Sequence, residues 1–281
     1  MWWKRYCASN GFNNIEFGEK MHISVAQSDL KGEARYREKI SSALSGRGFQ
    51  EIINNSLTRP GYFGENGFDP KASVEMLNPL SRELSVMRQS LLFGGLESIA
   101  RNANRQRPDL HLYEFGKVYQ KSDAGYDESH KLGLRLSGAQ QPESWKEKQQ
   151  PTDFYYLKSE VENILQGLGF AEWDEKDSPQ GIFDFALELS IKRKPVVKLG
   201  KIKPQVAKMA DLKQEVFYAE LDWDLLVKLA RKNQIRFSEL PRYPEVRRDL
   251  ALLLKQEIEY ADLKKSGGKN RAQAIAQCQL V

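Results

Sequence analysis

Apolar residues recur every three to four positions in four stretches of the chain, the spacing that places side chains on one face of an α-helix. Polar residues suited to capping a helix N-terminus, Ser81, Asp153 and Asp222, stand at or just before the start of three of these stretches. We therefore predict helices over residues 34–47, 81–106, 155–168 and 223–233.

Between these helices, apolar residues alternate with polar or small ones, the pattern of strands with one buried and one wet face. The longest alternation covers residues 183–191, and shorter ones cover 110–115, 132–136 and 216–221. Such alternation is typical of antiparallel sheets, and the elements do not repeat as strand–helix–strand units. The pattern predicts an α+β domain in which helices flank an antiparallel sheet.

A domain boundary is expected at residues 237–245. Pro241 and Pro244 cannot continue the preceding helix, and an apolar strand over 249–254 follows them. Only about 40 residues remain from there on, too few for a core that folds unaided. We interpret this part as a truncated second domain.

The composition changes the picture little. The chain has 281 residues, 40% hydrophobic and 29% charged, which argues against disorder and against a membrane protein. No apolar run has the length of a spanning helix, and the first residues lack the apolar stretch of a signal peptide. Cys7 and Cys278 are too few for a disulfide framework or a four-ligand zinc site. A cytoplasmic protein that does not bind a membrane is expected.

Charge is more informative in its distribution than in its total. The net charge is +5, whereas residues 192–208 alone carry seven basic side chains and no acidic one. A one-sided charge of this kind attracts polyanions such as RNA. A solvated basic face on an ordinary sheet is the alternative interpretation.

The common catalytic motifs are missing. Neither a GxxxxGK[ST] nor a GxGxxG phosphate loop occurs, and no serine lies in GxSxG. The histidines are never at metal-ligand spacing from one another or from a cysteine, and His111 lies in an alternating strand where packing is the simpler role. We predict no catalytic residue and no metal site in this chain.

Several separated motifs together resemble the beta chain of bacterial phenylalanine–tRNA ligase, a class II aminoacyl-tRNA ligase. A helix, a Gly-aromatic pair and a strand over 34–57 resemble the first class II motif. The other matching segments, in the family's order, are LNPLS at 77–81, NANR at 102–105, LYEFG at 112–116, the stretch 199–226 and RYPEVRRDLALLL at 242–254. One departure is Lys203-Pro204, where the family usually has His-Pro.

The resemblance implies a domain plan. Residues 26–237 would form a class II synthetase-like catalytic-like domain that is inactive. Residues 1–25 would be a remnant of the preceding domain with its linker, and residues 238–281 the truncated start of a ferredoxin-like anticodon-binding domain. The family's acidic helix, which contributes to a magnesium site shared with the alpha chain, has no counterpart in the acid-free residues 1–10. No magnesium ligand is therefore carried over.

The residues that class II ligases use for chemistry are also missing. These ligases take one arginine from an fRxE motif and another from a Gly-rich motif ending in arginine. The nearest counterpart here is His111–Glu114, with Leu112 in the arginine position, and no GxGxGxxR occurs. Fixed cations stabilise the charge that builds on the α-phosphate, and deleting such a group costs about 3–4 kcal/mol. ATP and magnesium are therefore expected in the holoenzyme and no cofactor in this chain, which alone should be inactive.

Assembly and tRNA support are the roles that the resemblance implies. The partners would be the catalytic alpha subunit, a second beta subunit in an (αβ)2 heterotetramer, and tRNA(Phe). The predicted subunit-interface residues, for which core packing within one domain is the alternative, are Tyr36, Ile40, Ala43, Leu44, Phe49 and Ile52. The predicted tRNA-binding residues are Lys192, Arg193, Lys194, Lys198, Lys201, Lys203, Arg247 and Arg248.

Two functions from different classes stay open at this point. The first is a non-catalytic structural part of a phenylalanine–tRNA ligase beta subunit. The second is an independent RNA-binding or regulatory module built on a synthetase-like fold. Dependence on the alpha chain separates them, because only the first needs that partner.

Overall fold

The computed structural model describes residues 32–233, apart from 65–66, 80, 124, 147 and 179–180, and two short strands farther along the chain. The helices are α1 (Glu33–Gly46), α2 (Leu92–Ala103), α3 (Phe154–Gly167), α4 (Pro204–Lys208) and α5 (Trp223–Ala230). The strands are β1 (Gln50–Glu51), β2 (Leu57–Thr58), β3 (Val86–Met87), β4 (Leu110–Ser122), β5 (Gly125–Ser137), β6 (Asp174–Asp177), β7 (Phe183–Ile191), β8 (Lys194–Ile202), β9 (Val216–Asp222), β10 (Arg248–Asp249) and β11 (Ala276–Gln277). Short 3-10 turns cover Pro60–Tyr62, Pro70–Ala72 and Arg82–Leu84.

A seven-stranded sheet in the order β1-β4-β5-β9-β8-β7-β6 forms the centre of the fold. Its pairs are antiparallel except β1 with β4, which are parallel. The hairpin β4–β5 and the hairpin β7–β8 meet through β9, which pairs with β5 on one side and β8 on the other. The α+β class with a largely antiparallel sheet, predicted from alternation, is confirmed.

Helices cover both faces of this sheet. On one face, α1, α3 and α5 pack over side chains that are fully buried, among them Leu134, Leu199 and Ala219. On the other face, α2 and α4 pack against a second cluster that includes Leu112 and Ile202. This second cover is incomplete, and the open part of the face forms a cleft.

Three of the predicted helices form as expected. Asp153 and Asp222 cap α3 and α5, because their side chains accept hydrogen bonds from the Tyr156 and Leu225 amides. Among the described residues, no helix has both the length and the apolar character needed to cross a bilayer.

The predicted helix over 81–106 is wrong in its first half. Ser81 does accept a bond from the Leu84 amide, but it caps only a 3-10 turn. Residues 86–87 are extended and pair with Leu57–Thr58 in a two-stranded ribbon. The helix begins at Leu92, so strand pairing overrides the helical spacing of Leu84, Met87 and Leu91.

The strand expected after the helix and the Gly-aromatic pair, within residues 34–57, is shorter than predicted. Only Gln50–Glu51 pair with β4, at Leu112 and Tyr113. The chain then leaves the sheet because the Asn54 amides turn to Glu114 instead of continuing the ladder. Leu57 and Thr58 belong to the separate ribbon.

The domain plan lies partly outside the described residues. This holds for the remnant predicted over 1–25, and for the ferredoxin-like part over 238–281 except β10 and β11, which pair in parallel. Both assignments therefore stay predictions.

Candidate functional site

The cleft lies on the open part of the sheet, beside the N-terminus of α2. Its volume is about 460 Å³. The floor is formed by side chains of β4, β5, β8 and β9 that point to this face, and the rim by the segments around Phe68, Gln89 and Ile182. Its acidic and basic lining residues are Asp127, Lys131, Lys198, Glu220 and Asp222.

A buried ion group lies next to the cleft, beneath α2. Arg88 Nη1 is 2.6 Å from Glu114 Oε1, and Arg135 Nη2 is 3.4 Å from Glu114 Oε2. Asn54 donates its backbone and side-chain amides to the same carboxylate. The exposed fractions of Arg88, Glu114 and Arg135 are 7%, 1% and 0%. Both arginines are thus committed to Glu114 and do not reach the cleft.

Arg135 is held by packing as much as by hydrogen bonds. Its guanidinium lies 5.4 Å from the ring centroid of Tyr218, a cation–π contact. Its Nη2 donates to the Leu91 carbonyl, whereas Nε and Nη1 have no acceptor within the described chain. Gly95 of α2 covers this guanidinium so closely that a Cβ there would overlap Nε. The side chain is therefore part of the core and not a ligand-binding group.

Glu220 is the best-anchored carboxylate of the cleft. Its Oε2 accepts hydrogen bonds from Ser90 Oγ at 2.7 Å, from the Leu91 amide at 3.1 Å and from the Tyr218 hydroxyl. Burial raises the pKa of Tyr218 well above its usual value, so that hydroxyl stays protonated and can donate. Because the Leu91 amide directly precedes the first turn of α2, the Glu220 carboxylate lies at the N-terminus of that helix, where a negative charge is favourable.

The two lysines of the cleft have acidic neighbours. Lys131 Nζ is 2.7 Å from Asp222 Oδ2, whose other oxygen caps α5. Lys198 Nζ is 3.7 Å from Glu188 Oε2 on the adjacent strand. The lining thus holds three acids against two lysines. A phosphate group entering the cleft would meet a net negative surface.

A signal for Glu114, Arg135 and Glu220 is present in the sequence. Glu114, Arg135 and Glu220 interrupt runs of apolar residues at positions whose strand neighbours are buried. A charge at such a position needs a partner, since burying it alone is costly. Reading those interruptions as partners would have placed them together on one face.

The predicted interface residues divide between core and surface. Ile40, Leu44 and Phe49 are buried in this chain's own core, at 2%, 0% and 3% exposed, so at these positions the core-packing alternative describes what the structure has. Tyr36 and Ile52 are half-buried, and Ala43 is exposed. The interface role itself stays a prediction.

A different set of apolar residues is exposed in the described chain. Ile53, Leu77, Met76 and Leu84 are 86%, 97%, 41% and 39% exposed. We call these four residues the apolar ribbon group, because they lie on the segments that lead into and flank the β2–β3 ribbon. The Met76 amide bonds to the Ser85 carbonyl at 2.9 Å, which joins two of these segments.

The predicted tRNA-binding residues are dispersed by the β7–β8 hairpin. Lys192 and Arg193 form its turn with φ of 52° and 63°, and Lys194 starts β8, all three exposed. Lys198 lines the cleft, Lys201 lies 2.5 Å from Glu215 Oε1, and Lys203 donates to the Gly181 carbonyl. Arg247 and the side chain of Arg248 lie outside the described residues. The basic residues that are continuous in the sequence are thus divided in the structure. Three of them form an exposed hairpin tip, and the other lysines lie apart from it, close to carboxylate or carbonyl oxygens or in the cleft.

Glu33, His130 and Asp224 form a cluster of possible metal ligands, and their ligand atoms lie within 4.8 Å of one another. Internal bonds occupy much of this cluster. The His130 amide donates to Asp224 Oδ2 at 2.7 Å, and the His130 ring Nδ1 lies 3.2 Å from Asp224 Oδ1. Trp223 Nε1 donates to Glu33 at 3.1 Å. The absence of a metal site stays a prediction.

His111 has a packing role. Its ring lies 5.4 Å from the rings of Phe49 and Tyr156, and its Nε2 is 3.2 Å from the Ala139 carbonyl oxygen. Burial lowers its pKa below the usual value.

The fold of this chain is similar to that of a tRNA synthetase of known structure. The chain superposes on the crystal structure of pyrrolysyl-tRNA synthetase from Desulfitobacterium hafniense with a TM-score of 0.57 at 14% identity, over 73% of this chain and 72% of the other. At that identity the likeness is one of fold alone. The fold is that of class II-like synthetase catalytic domains.

Comparison of sequences is more specific. Residues 19–223 match the family described as the phenylalanyl tRNA synthetase beta chain CLM domain. Phenylalanine–tRNA ligase beta subunits from Bacteroides thetaiotaomicron and Bacteroides fragilis are 38% and 37% identical over 272 and 269 residues. Each alignment covers 91% of this chain and 33% of the relative, so the chain spans about a third of those proteins. The chain belongs to the family of phenylalanyl-tRNA synthetase beta chains.

Proposed function

We propose that this chain is a non-catalytic structural part of a phenylalanine–tRNA ligase beta subunit, supporting assembly with the catalytic alpha subunit and binding of tRNA(Phe). In this proposal, ATP and magnesium are bound by the holoenzyme through its other subunit. The holoenzyme would be an (αβ)2 heterotetramer located in the cytoplasm.

The observation that carries the non-catalytic role is the charge of the sheet face. Amino-acid activation builds negative charge on the α-phosphate, and fixed cations must stabilise it. In this chain Arg88 and Arg135 are buried against Glu114, and the cleft beside them is lined by more acids than lysines. Leu112, which stands at the arginine position of the fRxE motif, is 2% exposed and packed under α2.

The apolar ribbon group supports the assembly role. The four exposed apolar side chains lie on segments that backbone hydrogen bonds join, and exposed apolar surface that gathers in one patch is typical of a protein contact. Ile53 follows closely after β1, the edge strand of the sheet, whose outer side has no partner strand in the described chain. A partner subunit that packs here would remove apolar surface from water.

The basic hairpin tip supports the tRNA role. Lys192, Arg193 and Lys194 are exposed together at the end of β7–β8, where phosphates can approach without meeting the acids of the cleft. Contacts with phosphates release counterions, so binding through this tip should weaken steeply with salt.

The experiment is reconstitution with purified alpha subunit. The chain and the Leu77→Asp variant are mixed with alpha subunit, and complex formation is measured by light scattering coupled to size exclusion. A hot-spot apolar contact predicts about tenfold weaker assembly for the variant. Trp145→Asp is the matched control, since Trp145 is equally exposed, at 97%, but lies outside the apolar ribbon group.

Activity and RNA binding are measured on the same samples. ATP–pyrophosphate exchange is expected only when alpha subunit is present. Exchange by the chain alone would overturn the non-catalytic role. Failure to assemble, together with tight RNA binding by the isolated monomer, would favour an independent RNA-binding module instead.

A further inference from the structure

The C-terminal end of α2 carries exposed arginines that the proposed function does not use. Arg101 lies in the last turn of the helix, and Arg105 and Arg107 lie in the segment that directly follows it. All three residues are exposed, and none of them forms an ion pair within the described chain. Their charges are therefore available to a partner.

The backbone fixes where these arginines lie. The Gln106 amide donates to the Ala103 carbonyl at 3.0 Å, and the Arg107 amide donates to the Asn102 carbonyl at 3.1 Å. Gln106 has φ of 65°, the left-handed conformation that accompanies this pair of bonds in a Schellman motif at a helix C-terminus. Arg105 lies directly before the chain reversal and Arg107 directly after it, so both charges leave the backbone at one ordered turn.

A fourth basic residue comes from a distant part of the sequence. Gln214 Nε2 donates to the Pro108 carbonyl at 3.2 Å, which joins the segment before β9 to the segment before β4. Lys213 and Arg107 are the chain neighbours of these two residues, and Lys213 is also exposed and without an ion pair in the described chain. We call Arg101, Arg105, Arg107 and Lys213 the α2 end group.

The helix dipole explains only part of this group. A cation is favourable near a helix C-terminus, which accounts for Arg101 and Arg105 without any ligand. The effect is confined to the last turn, whereas Lys213 belongs to a different segment of the chain. Four cations on two segments therefore indicate a surface and not only a capped helix.

Acids that are near in sequence do not neutralise the group. Asp109 Oδ1 accepts a hydrogen bond from the Ala139 amide at 2.7 Å, and Glu215 lies 2.5 Å from Lys201. Asp211 is exposed and forms no ion pair with a member of the group. The surface consequently keeps a positive potential that attracts polyanions.

The composition of this surface suits a nucleic-acid backbone. Three of its four cations are arginines, whose planar guanidinium binds phosphate oxygens through two parallel hydrogen bonds. Asn104 and Gln106 expose amides between them, and such amides bond phosphate and sugar oxygens. Within 101–107 and at Lys213, the described chain exposes no large apolar side chain that could enter a bilayer.

We propose that the α2 end group binds the phosphate backbone of structured RNA, as a second basic surface besides the hairpin tip. The two surfaces lie at opposite ends of the sheet, because β8 begins at the tip and runs antiparallel to β9, which begins just after Lys213. The inference rests on the proposed function for the kind of ligand, but it uses residues to which that function assigns no role.

The test measures binding of labelled tRNA(Phe) to the 281-residue chain by fluorescence anisotropy at several salt concentrations. The triple variant Arg101→Gln, Arg105→Gln and Lys213→Gln should bind about tenfold more weakly at low salt. The slope of the logarithm of affinity against the logarithm of salt concentration should become shallower by about 2–3, because each lost phosphate contact releases about one counterion fewer.

The matched control removes the same charge from the opposite side of the sheet. It is the triple variant Arg35→Gln, Lys228→Gln and Lys232→Gln, whose residues are exposed and lie on α1, on α5 and directly after α5. These helices cover the other face of the sheet, so affinity should change less than about twofold and the salt slope should stay the same. Circular dichroism checks that both triple variants fold.

A third variant, Lys192→Gln, Arg193→Gln and Lys194→Gln, separates this inference from the proposed tRNA role of the hairpin tip. If only the tip variant loses affinity and the α2 end variant behaves like the control, the inference is wrong and the role of the tip stands. If the unchanged chain does not bind tRNA, both are wrong. Polyglutamate is the competitor: displacement of tRNA at an equal concentration of charge, dependent on the α2 end group, would assign this surface to an acidic protein and overturn the inference.

Discussion

Single residues set how closely α2 approaches the sheet. Arg135 projects from β5 into the space beneath the helix, and Gly95 is the position on the helix that lies directly over it. The helix can approach only because that residue has no side chain. A similar approach occurs at Gly116, where a Cβ would collide with Arg88 and Leu91.

Gly95→Ala should therefore lower stability, although alanine is normally the better helix former. The added methyl overlaps a buried guanidinium that has no space to move, and overpacking of this kind costs about 1–3 kcal/mol. Urea denaturation followed by circular dichroism measures the change. Gly46→Ala at the end of α1 is the control, since a Cβ there contacts nothing within 4 Å, and it should be neutral or slightly stabilising. Equal effects of the two substitutions would contradict the packing argument.

His111 should make the fold sensitive to mild acid. Its pKa is lowered in the folded state by burial, so the proton binds more tightly to the unfolded chain. The contribution of His111 to the free energy of unfolding is therefore fully present above about pH 6.5, the pKa of histidine in the unfolded chain. It decreases as the pH falls below that value. His111→Phe should reduce this slope between about pH 6.5 and 5 when denaturation midpoints are compared. His130, which is half-buried beside Asp224, gives the control variant His130→Gln, and a slope that disappears only in that variant would reassign the effect.

At the scale of elements, the β7–β8 hairpin shows a local conflict between sequence and conformation. A two-residue hairpin turn of type I′ requires positive φ at both central positions, where Asn-Gly is the favoured pair. This chain has Lys192 and Arg193 there, at φ 52° and 63°. Long side chains tolerate this region less well than asparagine or glycine, so the turn stores a small strain that the sheet on either side compensates.

Replacing the pair by Asn-Gly should raise the free energy of unfolding by about 1 kcal/mol, since the turn conformation becomes preferred. The same change removes two charges from the basic hairpin tip, so tRNA binding should weaken even as stability rises. Thermal denaturation and filter binding at several salt concentrations measure both effects. Lys194→Gln is the matched control, because it removes charge without changing the turn. A stability gain with unchanged tRNA binding in both variants would exclude the tip from the tRNA surface.

Elements with clean periodicity were predictable, and those set by distant partners were not. The spacing of Leu157, Val161, Ile164 and Leu165 and the Asp153 cap define α3 almost to the residue. The segment 82–91 has helical spacing too, but its backbone pairs with β2, and Arg88 leaves it to reach Glu114. No local pattern reports a partner 26 positions away, as in that ion pair. The buried ion group beside the cleft depends on such pairs, so local patterns do not predict it.

The whole molecule separates its surfaces by chemistry. One sheet face is closed by helices, the other carries the acidic cleft, one edge lies beside the apolar ribbon group, and a hairpin tip is basic. The opposite edge strand, β6, is made of Asp174–Asp177 and includes three acids, a composition that discourages pairing with other strands. Association is thereby disfavoured at β6 and left possible near β1.

Self-association of the isolated chain should follow this division. Without a partner, the apolar ribbon group stays in water, and molecules should associate through it as concentration rises. The double variant Ile53→Asp and Leu77→Asp should stay monomeric at concentrations where the natural sequence shows an increasing scattering mass. The control is the double variant Tyr126→Asp and Trp145→Asp, at sites that are 76% and 97% exposed. If this control also stays monomeric, any exposed apolar residue suffices for self-association and the apolar ribbon group has no special role.

The strand order has a consequence for synthesis on the ribosome. β5 ends at Ser137, but its second partner, β9, begins only at Val216. At about 5–20 residues per second, several seconds pass between the emergence of the two strands. Throughout that interval the β4–β5 hairpin has one unpaired backbone edge, that of β5. The nascent polypeptide is then most vulnerable to misassociation, and chaperone capture at this stage should improve its yield more than any later intervention.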